Sequence, residues 1–167
     1  MAADDAPLTR AQVREALARE RGKLLAALDG LSEEEMTRPG AVGHWSVRDV
    51  LAHLLAWEEE AVARLDLLAA ERPQDIAWIG DENELETWNA RAHQRYGSLA
   101  LAEVMRRLTD VQGRILAGLE SLSQERLSTD AGPVPVRQWL PGETYAHEQE
   151  HCAEILAWRR SIETSEV

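Results

Sequence analysis

Apolar residues recur every three or four positions along nearly the whole chain, and no stretch alternates with period two. That spacing fits amphipathic helices and leaves no strand to assign. The first helix opens at Thr9-Arg10-Ala11-Gln12, where Thr9 and Gln12 form a capping box and Leu8 faces Val13 as a staple. Its stripe is Val13, Leu17, Leu24, Leu28 and Leu31, with Gly30 as a stop and Ser32-Glu33-Glu34-Glu35 capping one further turn. After a loop marked by Pro39, Gly40 and Gly43, Ser46 and Asp49 cap a second helix that runs to about Glu71. A connection from Pro73 to Gly80 leads to a shorter helix, Asp81 to Tyr96, ended by Gly97. Another capped helix is expected near Ser98, carrying Leu101, Val104, Met105, Leu108, Val111, Ile115 and Leu119. Ser128 to Gly142, with three prolines, reads as the longest break before a last helix from about Glu143 to Ile162.

Four long amphipathic helices with shorter ones between them predict an all-α fold, an antiparallel four-helix bundle. The chain is 167 residues long, which fits one domain over 1–167 with frayed ends at about 1–7 and 163–167. The two halves echo one another. Leu31-Ser32-Glu33-Glu34-Glu35-Met36 resembles Leu122-Ser123-Gln124-Glu125-Arg126-Leu127, and each leads through a loop and a tryptophan to a helix containing Leu-Ala-Trp. A duplicated helix pair and a shared helix-ending vocabulary explain this equally.

Charge excludes several functions. The chain has 18 basic against 30 acidic side chains, a net charge of −12, which argues against nucleic acid and against a polybasic membrane contact. No apolar run reaches the length of a membrane span, and Met1 to Pro7 carries no signal-peptide core. The expectation is a soluble, cytoplasmic domain. A single cysteine, Cys152, leaves no intramolecular disulfide framework and no multi-cysteine zinc site.

The histidines carry the chemistry. On a helical wheel of the last helix, Ile162, Trp158, Ile155 and His147 all fall within about 40° of His151 (helix geometry). His147 and His151 therefore form a His-x-x-x-His pair, one turn apart, pointing into a core. Buried imidazoles without partners cost roughly 1–3 kcal/mol each. A divalent cation satisfies both, since this spacing lets two neutral rings converge on one ion. On this helix alone, core histidines bonded to carbonyls, water or glutamates account for the pattern equally. His53, at the edge of the apolar face of the second long helix, offers a third imidazole and shifts the balance toward an open, catalytic type of site. Asp49, one turn earlier, could stand behind it, although capping alone explains that residue. His44 and His93 read as solvated or cleft-lining.

The segment Trp45-Ser46-Val47-Arg48-Asp49-Val50-Leu51-Ala52-His53-Leu54-Leu55-Ala56-Trp57, with Tyr145-Ala146-His147-Glu148-Gln149-Glu150-His151 and Ile155-Leu156-Ala157-Trp158, resembles the DinB/YfiT-like four-helix-bundle superfamily and, within it, the ClbS/DfsB branch. Glu86-Thr87-Trp88-Asn89 is similar to a central motif of that branch. The resemblance runs from about Leu8 to Arg160. It implies up-down-down-up topology, frequent homodimers, and a nickel or zinc ion on the three histidines that map to His53, His147 and His151. It also implies chemistry on small electrophiles, either thiol transfer or the ring hydrolysis linked to self-protection in the ClbS branch.

Residue by residue, the metal ligands are then His53, His147 and His151. Glu148 or Glu58 is the base suggested by wheel position, and Trp57, Trp88, Asn89 and His93 line a pocket for a small-molecule substrate. Cys152, about 100° from His151, reads as core packing. With no phenylalanine against six tryptophans, Trp45 and Trp158 read as core filling. The rival function is a non-catalytic protein that sequesters a small molecule in the bundle cleft.

Overall fold

The computed structural model describes residues 8–128 and 135–165. The helices are α1 (Arg10–Leu28), α2 (Glu33–Thr37), α3 (Val47–Ala69), α4 (Glu82–Tyr96), α5 (Leu101–Ser121), α6 (Gln124–Ser128), α7 (Val136–Glu143) and α8 (Tyr145–Ser165). Among the described residues there is no strand, only an isolated bridge between Val42 and Trp45.

Side-chain contacts fix the direction of each long helix. Arg21 on α1 meets Glu148 on α8, and Arg159 further along α8 donates to the carbonyls of Ala27 and Asp29, so α1 and α8 run parallel. Arg107 meets Glu59, and Gly118 packs on Leu65, so α5 and α3 are parallel as well. Arg10 donates to the Leu119 carbonyl while Arg21 reaches that of Leu108, which sets α1 against α5. The bundle is up-down-down-up. At Gly118 a Cβ would stand 3.1 Å from the Leu65 Cβ, so the missing side chain lets α3 and α5 approach.

The stripes read from sequence meet in one core. Val13, Leu17 and Leu24 of α1 join Leu51, Leu55 and Leu65 of α3, Val104, Val111 and Ile115 of α5, and Ile155 of α8. The first three N-caps are as expected, with reciprocal boxes at Thr9/Gln12, Ser32/Glu35 and Ser46/Asp49. The short α2 and α6 are the counterparts of the internal echo, α2 following α1 and α6 following α5.

Three expectations change. The third long helix starts at Leu101, and its N-cap Ala100 makes no side-chain cap, so Ser98 is not the cap. The supposed break from Ser128 to Gly142 contains α7, with Pro135 at its N-cap and Pro141 inside; positions 129–134 lie outside the described residues. Proline at the helix start wastes no hydrogen bond, and α7 ends within three residues of Pro141, so neither ring breaks it. α8 also continues to Ser165, past the expected fraying at 163; residues 1–7 and 166–167 are outside the described range.

Candidate metal centre

Local structure aims each imidazole. Gly40 (φ 104°) and Gly43 (φ 60°) turn the chain back so that the amides of Gly40, Ala41 and Val42 all donate to the Trp45 carbonyl. Ser46 and Asp49 then start α3, and Arg48 donates to the carbonyls of Gly97 and Leu99, anchoring that end to the α4–α5 turn. One and a half turns on, His53 faces α8. At the other wall, Thr144 leaves helical geometry (φ −132°, ψ −112°) and donates to the Leu140 carbonyl, so α8 begins in a new direction with His147 and His151 one turn apart.

The three imidazoles converge, with His147 Nε2 close to both of the others. His147 Nε2 stands 3.2 Å from His53 Nε2 and 3.0 Å from His151 Nε2. All three rings offer a ligand atom within 4.8 Å of the others. Ligand atoms about 2.0–2.1 Å from a tetrahedral cation are separated by about 3.3–3.4 Å, so the nitrogens are already nearly at ligand spacing. His151 Nδ1 lies 2.6 Å from Glu154 Oε2. That contact assigns the proton to Nδ1 and turns the lone pair of His151 Nε2 inward.

Hydrogen bonding alone cannot satisfy this cluster. If His147 Nε2 carries a proton it can serve His151, but His53 then faces an N–H with no lone pair. If it carries a lone pair, that lone pair opposes the one on His151. His147 Nδ1 is meanwhile buried without a partner among the described residues. The donor set therefore fits a divalent cation. Burial, with the neighbouring His151 second, lowers His53 to about 4. Burial, with His151 and His53 adding, lowers His147 to about 3. Both rings are neutral at pH 7 and available as ligands.

Aromatic walls surround the cluster. The Trp45 ring lies 5.0 Å from that of His53, and Trp57 lies 6.5 Å from His53 and 6.1 Å from His147. Trp88 of α4 packs on Trp57 with centroids 4.0 Å apart. Trp45, Asn89 and His93 border a small cleft that reaches His53, with His93 stacked on Trp45 at 6.2 Å. Asn89 Oδ1 is buried there without a partner among the described residues. Trp45 is thus a wall of the cluster as well as core filling, while Trp158 packs on the core as expected. His44 is exposed and stands edge-on to the Trp45 ring, with centroids 6.2 Å apart.

Glu58 and Glu148 are where the expectation of a base needs correcting. Both side chains are sealed at 0% exposure, and Arg21 holds them. Arg21 Nε donates to Glu148 Oε1 at 2.5 Å, its Nη2 donates to both oxygens of Glu58 at 2.7 Å, and its Nη1 donates to the Leu108 carbonyl at 2.6 Å. Burial pushes the Glu58 carboxyl well above the usual carboxylate range, against the pull of Arg21 and with Glu148 adding to the rise. These carboxylates anchor α3 and α8 behind the imidazoles. Asp49 is likewise taken by Ser46 and Arg48, not by His53. Burial pushes the Cys152 thiol up, which keeps it protonated and inert in the core.

Two participants were missed from sequence. Glu154 follows His151 by three residues, the helical spacing that brings a carboxylate beside an imidazole. Arg21 lies four residues after Leu17 and three before Leu24, in the middle of an apolar stripe, where a lone arginine announces a buried partner.

The pattern of the DinB superfamily matches residues 5–155. The fold is shared with an uncharacterised protein from Escherichia coli UTI89, at 19% identity and a TM-score of 0.81 over 95% of this chain and 96% of that one. It is shared too with the Sibling Lethal Factor Precursor DfsB, at 18% identity and a TM-score of 0.77 over 93% and 98% of the two chains. A third is the colibactin self-resistance protein ClbS, solved in complex with a dsDNA, at 15% identity and a TM-score of 0.80 over 92% and 97%. No curated protein matches the sequence. With the fold, the three-histidine cluster and the matched span in agreement, the chain belongs to the DinB superfamily.

Proposed function

We propose that this protein is a metal-dependent enzyme of the detoxification or self-protection kind, acting on a small electrophilic molecule, with nickel or zinc held by His53, His147 and His151. The observation that carries this is His147 Nε2 standing 3.2 Å from His53 Nε2 and 3.0 Å from His151 Nε2, with His151 oriented by Glu154. A divalent cation on three neutral imidazoles supplies Lewis acidity at an open position, enough to activate a water or a thiol near neutral pH. The chain's own residues do the rest. Glu154 fixes the His151 tautomer, and Arg21 locks the two helices through Glu58 and Glu148. Trp45 and Trp57 screen the imidazoles from solvent, and Asn89 Oδ1 offers an acceptor in the adjoining cleft. ClbS is seen with duplex DNA; for this chain the 30 acidic against 18 basic side chains favour a small molecule over a polyanion. No described helix is long and apolar enough to cross a membrane.

Metal analysis of the protein equilibrated with Ni²⁺ or Zn²⁺ is expected to give one ion per chain. His147→Ala is expected to lose that ion while the helical circular dichroism stays unchanged. A wild type that retains neither ion overturns the assignment. The metal-loaded protein is expected to open strained-ring electrophiles such as epoxides, alone or with a low-molecular-weight thiol, and His147→Ala is not. Binding of such compounds, read by tryptophan quenching, with no turnover and no metal dependence would establish the sequestering protein instead. Glu154→Gln is expected to weaken metal binding by about 10–100-fold, measured by competition with a chromogenic chelator, because the neutral amide no longer enforces the Nδ1–H tautomer.

A further inference from the structure

A second concave surface lies between α3, α4 and α5. It is a groove of about 660 Å³, bordered by Trp88, Arg91 and Arg95 of α4, Arg107 and Arg114 of α5, and Glu59 of α3. The spacing of 88, 91 and 95 puts all three side chains on one face of α4.

The charges of this groove do not balance. Several arginines outside it end on carboxylates: Arg21 on Glu58 and Glu148, Arg64 on Glu143, Arg106 on Glu103 and Asp110. Inside the groove Glu59 is already claimed by Arg107 at 2.5 Å and by the Tyr96 hydroxyl at 2.5 Å. Glu60, also on its border, takes Arg64 at 3.2 Å. Arg91, Arg95 and Arg114 are exposed and donate to no carboxylate among the described residues; Arg95 only overlies the Tyr96 ring at 5.3 Å. Arg91 and Arg95 stand one turn apart, a like-charge arrangement that disfavours the helix. A chain with a net charge of −12 thus gathers unpaired guanidinium groups around one hollow.

Guanidinium forks match carboxylate and phosphate oxygens, and the volume is that of a small-molecule site. Trp88, half-buried at the groove's edge, adds a flat apolar face. We propose that this groove binds a small organic anion, its carboxylate or phosphate held by Arg91, Arg95 and Arg114 and its flat apolar body laid against Trp88. Duplex DNA is the poorer fit, because Glu59 and Glu60 interrupt the arginines and a duplex needs an extended basic surface. The assignment does not depend on the histidine cluster holding a metal.

The test is calorimetric titration of the full chain with 2-naphthyl phosphate, 2-naphthoate, inorganic phosphate, neutral 2-naphthol and a short DNA duplex. One or both naphthyl anions are expected to bind, more tightly than 2-naphthol or inorganic phosphate and less tightly as salt rises. The double substitution Arg91→Gln/Arg114→Gln is expected to weaken that binding at least about tenfold. Arg72→Gln, at an exposed pair with Asp75 outside the groove, is expected to leave it unchanged. Absence of binding by both naphthyl anions overturns the proposal, as does binding that the double substitution leaves intact. Arginine-dependent binding of the duplex without the naphthyl anions overturns it in favour of a nucleic-acid surface.

Discussion

Arg21→Met is expected to lower the unfolding free energy by about 3–5 kcal/mol, read from urea denaturation followed by circular dichroism. One guanidinium on α1 touches α3, α5 and α8 at once, through Glu58, the Leu108 carbonyl and Glu148. Removing it leaves two fully buried carboxyl groups facing each other without a cation. Methionine fills much of the arginine's volume, so the loss reports charge rather than a cavity. Converting both acids to amides in the same chain, Arg21→Met with Glu58→Gln and Glu148→Gln, is expected to recover most of the loss, because neutral amides escape the desolvation penalty. A single Arg21→Met variant within about 1 kcal/mol of wild type would show that the cluster does not bear on stability.

The metal-free protein is expected to lose stability steeply as pH falls from about 6.5 toward 4. His53 and His147 titrate near 6.5 when unfolded, but burial lowers them to about 4 and about 3 in the fold. Between those values the unfolded chain binds protons that the folded chain refuses, so acid favours unfolding. The slope approaches about 1.4 kcal/mol per pH unit for each ring, trimmed by the partial exposure of the site. Glu58, raised in the fold, works in the opposite sense: its contribution is present at low pH and fades as pH climbs above its unfolded value. The histidine part is therefore read as a difference from the variant His53→Leu/His147→Leu. Near pH 5 and without metal, the variant is expected to be the more stable protein. Near pH 7.5 with excess Zn²⁺ or Ni²⁺, the order is expected to reverse, since only the wild type gains binding free energy. Parallel pH profiles for the two proteins would refute the account of buried neutral rings.

Much of the scaffold was legible because its signals are local. Thr9/Gln12, Ser32/Glu35 and Ser46/Asp49 are cap pairs three residues apart, and all three form as written. The inward face of α8 followed from the angles among His147, His151 and Ile155. α7 escaped because Pro135 and Pro141 are strong punctuation, and only contact with the core shows that they fall near the ends of one short helix. The roles of Glu58 and Glu148 escaped for a different reason. A wheel shows that a carboxylate points inward, but not what waits there. Their partner Arg21 is 37 residues from one and 127 from the other, a distance no periodicity spans. The arginine groove is equally invisible, since it joins faces of three separate helices.

His53 and His147 are separated by 94 residues of sequence. Closing so long a loop is entropically costly and slow compared with forming any one helix. As the polypeptide leaves the ribosome, α1, α3 and α5 are all synthesised while two of the three imidazoles have yet to be made. Coordination therefore cannot template the early collapse of the bundle, in contrast to a zinc finger whose ligands lie within one short segment. An ion held by all three imidazoles would be enclosed only once α8 has docked, so on the proposed reading metal supply would bear on maturation rather than on the early collapse of the bundle.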